Sequence, residues 1–393
     1  MAHSPASVGR LRLVHCCGQF SAMQGGTELQ ARAVCEALAA RGHRISVLTL
    51  RGREPAPNVP GITIHARIRT INRGRLFGIT YAASATAALL QEVGTADCLH
   101  AHHLYLDALA ALLAGRIRRR PVVAKMTGAG AGGDLDRLRR TAGGANLLRL
   151  FHSLDAVIAP SQACRAELVA AGFLDERIHL IANGVDTVRF RPRALEGFKA
   201  SPAPWSGPSV VFAGRLIEAK GIMDLMEAWP RVLRDVPEAH LVLLGSGPLD
   251  GELYRLASKA PMAGRVHLVG EVPDVRPYLW AATGFVLPSW AEGLPNALLE
   301  AMAAGVACVA TRIGPIAEAA KDGQEALLVP PRAPEPLAAA LVTVLVQGEL
   351  RDRLGRAARR RVEAEFSLER QVDLLEALYR GLASRLGVER SGG

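Results

Sequence analysis

Two glutamates, Glu292 and Glu300, lie on either side of a proline that follows a short loop. An apolar run before them predicts a buried strand. Pro295 is expected at the first position of the next helix, where its missing N–H would have no helical partner. The free backbone amides of Asn296 and Ala297, at the positive end of the helix dipole, would then form an anion site.

The spacing of Glu300 suits a nucleotide diphosphate. Glu300 lies four residues after Asn296, on the same helix face and about 6 Å further along the axis. Phosphates at the helix tip would leave a pair of ribose hydroxyls at Glu300, and Glu292 would face the group that the phosphates carry. The alternative is an ordinary strand–helix turn with two solvated glutamates, and this segment by itself does not separate the two.

Two cations stand at the start of another helix in the same half of the chain. Arg215 follows the apolar run 210–214, and Lys220-Gly221 precedes the helix. Cations at a helix N-terminus oppose the helix dipole, so the pattern favours an anion bound between them. A surface Lys-Gly turn is the alternative.

The first half of the chain has candidates of its own. Gly25-Gly26, between a strand and a helix, would let a phosphate approach backbone amides, although many such turns carry glycine for geometry alone. His100, His102 and His103 close a predicted strand, at the edge where open α/β sheets bind ligands. Because no carboxylate or cysteine stands at the spacing typical of a zinc site, we expect a structural or substrate-touching histidine and no metal site.

Two further patterns are interpreted as coincidences. The glycines of 128–133 match GxGxxG, but the acidic residue that should end the next strand is missing, since Asp155 begins one instead. Asp134 and Asp136 match the DxD pattern that holds a metal on a nucleotide-sugar in one class of transferases, yet arginines crowd them. We predict a glycine-rich flexible loop that runs into a basic helix.

The composition is that of an ordinary globular chain of 393 residues, 49% hydrophobic and 21% charged. Its length favours two domains. Its formal net charge of +10 suggests phosphorylated ligands, nucleic acid or an acidic membrane as partners, although solvated helix faces rich in arginine are the default explanation. The six cysteines include no CxxC, which is typical of core residues in a reducing compartment. The chain shows neither a signal peptide nor an apolar run that could span a bilayer, so we expect a cytoplasmic protein.

Apolar strands alternate with helices in both halves, which predicts parallel sheets covered on both faces. Strands are predicted at 11–16, 45–50, 96–101, 121–126, 155–158 and 177–181, and then at 210–214, 240–245, 266–270, 283–287, 306–310 and 326–329. A stretch rich in Pro, Gly and Ser predicts a boundary between domains 1–195 and 196–393. Whether the C-terminal helices pack back on the first domain stays open. Two Rossmann-like domains of this kind would face each other across a cleft.

Four motifs together carry a family resemblance. They are Gly25-Gly26-Thr27-Glu28, Asn183-Gly184-Val185-Asp186, Gly214-Arg215 with Lys220-Gly221, and Glu292-x7-Glu300. With them the chain resembles the retaining glycosyltransferases of the GT-B fold, of the family 4 or "group 1" type. The resemblance implies transfer of a sugar, a hexose by expectation, from a nucleotide diphosphate-sugar to a hydroxyl acceptor. The product would be a polysaccharide, a glycolipid or a small-molecule glycoside.

The resemblance also implies roles for individual residues. Arg215 and Lys220 would hold the diphosphate, Glu300 the ribose, Glu292 the donor sugar, and His102 the sugar or acceptor. Further substrate contacts are expected from Gly25, Gly26, Glu271, Val272, Leu294, Asn296 and Ala297, with the backbone at 270–272 reading the base. The anomeric configuration would be kept, a leaving-phosphate oxygen would take the acceptor proton, and neither metal nor cofactor would be needed.

The chain departs from the family pattern in two places. Lys125-Met126-Thr127-Gly128 stands where many relatives have a His-Gly pair, which bears on the acceptor more than on the donor, and 314–318 lacks the common Gly-Gly start. Two alternatives stay open. One is a nucleotide-sugar epimerase or dinucleotide enzyme, which would need an acidic residue for the ribose after GxGxxG. The other is a non-catalytic binding protein of the same fold.

A membrane partner is the last expectation. Arginines concentrate between residues 67 and 140, and Leu147, Leu148, Leu150 and Phe151 form an apolar group beside Arg149. If these surfaces coincide, the first domain could rest on anionic lipid at the inner face of the membrane and use a lipid-linked acceptor. The alternative is a basic helix with these apolar side chains in the core. No nucleic-acid partner is expected.

Overall fold

The computed structural model describes residues 9–18, 20, 26–52, 59–130, 132–192 and 206–391. The strands of the first sheet are β1 (Arg12–Cys16), β2 (Arg44–Leu50), β3 (Ile62–Ile68), β4 (Cys98–Ala101), β5 (Val122–Lys125), β6 (Ala156–Ala159) and β7 (Ile178–Leu180). The helices connecting them are α1 (Gly26–Ala40), α2 (Arg75–Glu92), α3 (Leu106–Arg118), α4 (Asp134–Arg140), α5 (Gly144–Phe151) and α6 (Gln162–Ala170).

The second half repeats this alternation. Its strands are β8 (Ser209–Ala213), β9 (His240–Leu244), β10 (Val266–Gly270), β11 (Gly284–Leu287), β12 (Cys308–Thr311) and β13 (Ala326–Val329). Its helices are α7 (Ile222–Asp235), α8 (Asp250–Ala257), α9 (Arg276–Ala281), α10 (Asn296–Ala303), α11 (Gly314–Ala319), α12 (Pro334–Val346), α13 (Gly348–Glu365) and α14 (Leu368–Ser391).

The order of the strands determines where ligands can bind. The sheets run β3-β2-β1-β4-β5-β6-β7 and β10-β9-β8-β11-β12-β13, with every pair parallel. In each sheet the order reverses beside the first strand, between β1 and β4 and between β8 and β11, and such switch points hold ligands at the carboxyl ends of the strands. The predicted fold, two Rossmann-like α/β units, is confirmed.

One strand was missed by sequence reasoning. β3 pairs only with β2, at the edge of the first sheet, and Ile68 is its one fully buried residue. The alternating apolar positions Ile62, Ile64, Ala66 and Ile68 were the available signal, weakened by Thr63, His65 and Arg67 between them. An edge strand is half solvated, so its sequence lacks the continuous apolar run of the central strands.

The C-terminal helix α14 covers the first sheet. Val372, Leu375 and Tyr379 of α14 belong to the same core cluster as Leu13 of β1 and Val34 of α1. A parallel sheet needs helices on both faces, and α14 supplies part of the cover on the face opposite α2 and α3. In the other direction, Val185 and Phe190 pack in the core of the second sheet. The predicted boundary at 195/196 lies outside the described residues.

The apolar group predicted to meet a membrane is not a free surface. Phe151 is fully buried, and Leu147, Leu148 and Leu150 are partly buried against the core of the first sheet. The placement of these side chains at a lipid surface is therefore wrong, because α5 turns them inward. Among the described helices, none combines the length and the hydropathy needed to cross a bilayer.

Candidate functional site

The tip of α10 differs from the prediction by one residue. Pro295 is the N-cap, with φ −79° and ψ 107°, and Asn296 is the first helical residue. The Pro295 carbonyl accepts hydrogen bonds from the amides of Leu298 and Leu299, both at 3.2 Å. The amides of Asn296 and Ala297 precede these helical bonds, so they remain the donors that an anion at the tip would use.

The first domain brings a second helix start to the same point. α1 begins at Gly26, and the Asn296 side-chain amide donates to the Gly26 carbonyl at 2.6 Å. A Cβ on Gly26 would lie 3.2 Å from Asn296 Nδ2, so a larger residue would crowd this contact. Two helix N-termini thus converge, and their dipoles add to a positive potential. Gly25, the other half of the predicted loop, lies outside the described residues.

A buried polar chain that sequence reasoning missed continues from Asn296 into the first domain. Asn183 donates through Nδ2 to Asn296 Oδ1 at 2.8 Å and to the Leu294 carbonyl at 3.1 Å, and it accepts from Lys125 Nζ at 2.5 Å. Burial lowers the pKa of Lys125 to about 8. The motif containing Asn183 and the unusual Lys125 were visible in the sequence, but their contact was not.

Lys220 and Glu292 meet at the carboxyl end of the second sheet. Lys220 Nζ donates to Glu292 Oε1 at 2.6 Å, and the Glu292 side chain is only 10% exposed. Gly221 carries a left-handed φ of +62°, and a Cβ there would lie 1.9 Å from the Pro288 carbonyl oxygen. The Lys-Gly turn is therefore pressed against the loop that carries Glu292, which explains the glycine on steric grounds.

Arg215 is the exposed cation of the site. It follows β8 directly, on the same sheet edge as Lys220. Among the described residues Arg215 forms no ion pair, whereas Lys220 is neutralised by Glu292. An anion that reaches this edge would meet one uncompensated guanidinium and one paired ammonium.

Glu300 is a carboxylate in a desolvated position. Burial raises the pKa of Glu300 to about 7, nearby Asp274 adds to the shift, and Arg189 opposes it. Within the described part of the chain, no side chain hydrogen-bonds its oxygens. Glu300 is partly exposed, and a partly desolvated acceptor without a side-chain partner is stabilised by incoming donors, such as ribose hydroxyls.

The remaining predicted contacts on the donor side are spread along two strand ends. Glu271 accepts from the Ser246 hydroxyl at 2.5 Å, which ties the segments after β9 and β10 together. Val272 packs against the second core, and Leu294 is 5% exposed. The exposed side chain of Glu271 can therefore contact a ligand more easily than the buried side chain of Leu294. The backbone carbonyl of Leu294 accepts a hydrogen bond from Asn183.

His102 lies deeper than its predicted role suggests. It is 2% exposed, stacks on His100 with ring centroids 4.3 Å apart, and its Nε2 lies 3.0 Å from His15 Nδ1. Burial, and then the neighbouring His100, holds the pKa of His102 well below its usual value. The predicted contact with sugar or acceptor stays a prediction.

These buried histidines are also the candidate metal ligands in the described part of the chain. The ring nitrogens of His15, His100 and His102 lie within 4.8 Å of one another. Lys125 is close enough to lower the pKa of both His100 and His102. A cation beside an enclosed set of neutral ligands disfavours a further divalent charge.

His103 is the more accessible neighbour of His102. Its side chain is 25% exposed, and its Nδ1 lies 2.8 Å from Asp107 Oδ2. Burial by itself would lower the pKa of His103, but the hydrogen bond and charge of Asp107 outweigh it and raise the pKa above the ordinary value. Asp107 also accepts from the Tyr81 hydroxyl and from the Gly18 amide, so it is fixed from several sides. Sequence reasoning missed this pair, although His103 and Asp107 have the i, i+4 spacing.

The two aspartates of the DxD pattern stabilise the loop in which they lie. Asp134 accepts from the Thr127 amide, the Thr127 hydroxyl and the Gly128 amide. Asp136 accepts from the Gly132 amide at 2.8 Å and pairs with Arg140. Their carboxylates thus hold the turn into α4. The same loop touches the second domain, where the Ala129 amide donates to the Glu292 carbonyl at 3.4 Å.

Comparison with protein families places both halves of the chain. Residues 24–189 match the family model described as Glycosyltransferase Family 4, and residues 207–347 match the one described as Glycosyl transferases group 1. The two matches cover the Gly26 loop and the motif around Asn183 in the first half, and Arg215, Lys220, Glu292 and Glu300 in the second.

Three known proteins illustrate the similarity. The chain is 30% identical over 379 residues to the phosphatidyl-myo-inositol mannosyltransferase of Mycobacterium tuberculosis, covering 90% of this chain and 93% of that one. It is 26% identical over 366 residues to the N-acetyl-alpha-D-glucosaminyl L-malate synthase of Bacillus anthracis, covering 90% and 93%. The structure of Anabaena HepE in complex with UDP-glucose superposes with a TM-score of 0.77 at 19% identity, over 94% of this chain and 99% of that one.

Proposed function

Because the chain belongs to the group 1 glycosyltransferases, of the family 4 type with the GT-B fold, we propose that it transfers a hexose from a nucleotide diphosphate-sugar to a hydroxyl acceptor and retains the anomeric configuration. Within the family, the donor, the acceptor and the stereochemistry depend on the residues of the site. The nucleotide-sugar epimerase alternative finds no support in either family match.

The observation that carries the proposal is the convergence at Asn296. The start of α1 and the start of α10 are joined by the 2.6 Å hydrogen bond from Asn296 to Gly26, and Arg215 and Lys220 follow the neighbouring strand β8. Two helix N-termini and the unpaired guanidinium of Arg215, with the Glu292-paired ammonium of Lys220 beside it, fit a diphosphate that binds without a metal. A neighbour of the same fold was solved with UDP-glucose, which supports a nucleotide-sugar donor.

In the proposed mechanism this chain acts mainly by position and charge. The acceptor hydroxyl attacks the anomeric carbon from the face that the diphosphate leaves, and a leaving-phosphate oxygen takes its proton. Arg215, Lys220 and the amides of Asn296 and Ala297 stabilise the negative charge that develops on the diphosphate. Glu292, held by Lys220, accepts hydrogen bonds from the donor sugar hydroxyls. Glu300 accepts those of the ribose, and the backbone at 270–272 lies beside the base.

The first domain would hold the acceptor. His103, fixed by Asp107, is the partly exposed histidine that follows β4 at the switch point, and His102 lies behind it. The loop containing Thr127 and Ala129 touches the Glu292 segment, so residues of both domains would enclose the reacting sugar. All six cysteines are buried, as suits core residues of a protein in a reducing compartment, in keeping with the proposed cytoplasmic location.

Titration of the protein with UDP, GDP and ADP, followed by NMR of the anomeric proton of the product, tests this function. We expect one of the three nucleotides to bind, the matching nucleotide-sugar to be consumed, and the product to carry the donor's anomeric configuration. A protein that binds none of the nucleotides, or a product of inverted configuration, would contradict the proposal.

A further inference from the structure

The outward side of α2 is apolar where a surface helix is normally polar. Residues 76–91 contain no charged side chain. The exposed positions between residues 76 and 90 are Leu76, Ile79, Ala83 and Ala87, whose spacing of three and four places them in one stripe. Leu76 and Ile79 are 47% and 65% exposed. The outward side of a surface helix is normally polar, and an apolar stripe is expected to be covered, but this one faces solvent.

The neighbouring helix α3 widens the stripe into a surface. A Cβ on Gly78 would contact the Leu106 side chain near the start of both helices, and Arg118 Nη2 donates to the Leu90 carbonyl at 3.1 Å near their ends, so the helices run side by side in the same direction. Leu113 and Ile117 of α3 are exposed, as is Ile71 ahead of α2. The α2–α3 face comprises Ile71, Leu76, Ile79, Ala83, Ala87, Leu113 and Ile117.

Arginines border this face at both ends. Exposed guanidinium groups stand before α2 and at the end of α3, at Arg69, Arg73, Arg116, Arg118 and Arg119. In the described part of the chain none of these five forms an ion pair, whereas Arg67 beside them is paired with Glu92. The segment from residue 67 to residue 120 holds eight arginines against three acidic residues. The border is therefore strongly cationic.

We propose that the α2–α3 face rests on an anionic lipid surface, with both helix axes along the membrane plane. An apolar stripe of medium-sized side chains between uncompensated arginines matches the acyl boundary and the anionic headgroups of such a surface. The charge distinguishes this partner from a second apolar protein face, which would leave the five guanidinium groups without counter-charges.

The face also adjoins the cleft, which bears on the acceptor. The starts of α2 and α3 lie at the carboxyl edge of the first sheet, and Tyr81, on the inner side of α2, donates to the same Asp107 that fixes His103. A hydroxyl carried by a membrane lipid would therefore reach the cleft from this side. This step rests on the proposed function, whereas the docking itself does not.

Co-sedimentation with phosphatidylglycerol vesicles and phosphatidylcholine vesicles, at low and high salt, tests the docking. Wild-type protein is expected to bind the anionic vesicles and to be released by salt. The double variant Arg69→Gln with Arg73→Gln should partition about 30-fold less, equivalent to about 1 kcal/mol for each arginine. The double variant Ile79→Glu with Ile117→Glu should bind less strongly still, because it places two carboxylates against the lipid.

Matched controls lie elsewhere on the molecule. Leu174→Glu with Val346→Glu changes two apolar residues that are 50% and 59% exposed, and Arg356→Gln with Arg360→Gln removes two exposed arginines of α13. Both control proteins should bind vesicles like the wild type. The thermal shift given by whichever of UDP, GDP and ADP binds the wild type should persist in all variants, so a failure of the donor-site proposal would be seen separately.

Three results would overturn the docking. One is wild-type protein that stays in the supernatant with anionic vesicles at low salt. Another is equal loss of binding in the face variants and the controls. The third is a wild-type dimer, without vesicle binding, that Ile79→Glu with Ile117→Glu turns into a monomer, since the face would then join two copies of this chain.

Discussion

Replacement of Glu300 by glutamine should stabilise the protein at alkaline pH and not at acidic pH. The pKa of this carboxyl is raised from 4.5 to about 7 by burial. Between pH 4.5 and about 7, the folded state therefore keeps a proton that the unfolded state has released. The free energy of unfolding falls as the pH rises through this range. The shift corresponds to about 3 kcal/mol for a fully desolvated group, which we reduce to about 1–2 kcal/mol because Glu300 is partly exposed.

The assay compares the melting temperatures of wild type and Glu300→Gln at pH 5 and pH 8. In a domain of this size, about 1–2 kcal/mol corresponds to roughly 2–8 °C in melting temperature. The melting temperature of the variant relative to wild type should therefore be higher by this amount at pH 8 than at pH 5. Glu335→Gln, an exposed glutamate of α12 in the same domain, serves as the control and should show no such gain. The nucleotide that binds, out of UDP, GDP and ADP, should raise the melting temperature of the wild type more than that of Glu300→Gln, since the ribose contact is lost. A melting difference between variant and wild type that is the same at both pH values would refute the desolvation of Glu300.

Three further predictions concern the charges of the cleft. Arg215→Ala and Lys220→Ala should each slow sugar transfer, measured by nucleotide release, by about 10²–10³-fold, the usual loss when one donor to a developing anion is removed. The exposed Lys259→Ala serves as the control and should keep the wild-type rate. If the folded Arg215 and Lys220 variants also keep that rate, neither residue belongs to the phosphate site. Asp107→Asn should lower the pKa of His103, because the carboxylate stabilises the imidazolium, and NMR titration of the ring protons would show an unchanged pKa if the pair does not form in solution. Transferase activity should survive EDTA. Asp134→Asn should lower the melting temperature, because Asp134 holds the turn into α4. Activity that strictly requires Mg²⁺ or Mn²⁺ and is abolished by Asp134→Asn would instead establish a metal site.

Local patterns determined the elements and the chemistry that each one presents. Apolar runs broken by glycine and proline identified the central strands. The spacing of Glu292, Asn296 and Glu300 located one helix tip and its carboxylates, because helix periodicity is a property of a few neighbouring residues. The prediction of Pro295 at the first helical position missed by one residue, since the cap depends on backbone angles that the residue type leaves open. The edge strand β3 was lost because only part of it is buried.

Only the tertiary structure decided which of these groups meet. Gly26 and Asn296 are 270 positions apart in the chain, and Lys220 and Glu292 are 72 apart; their contacts follow from strand order and from the approach of the two domains, which no local period encodes. Burial was decided in the same way. His102 was drawn into the core while His103 kept part of its exposure, and the apolar side chains of α5 turned inward while those of α2 stayed outside. Neighbouring residues of similar type thus differ in burial, because burial depends on what the rest of the chain packs against each of them.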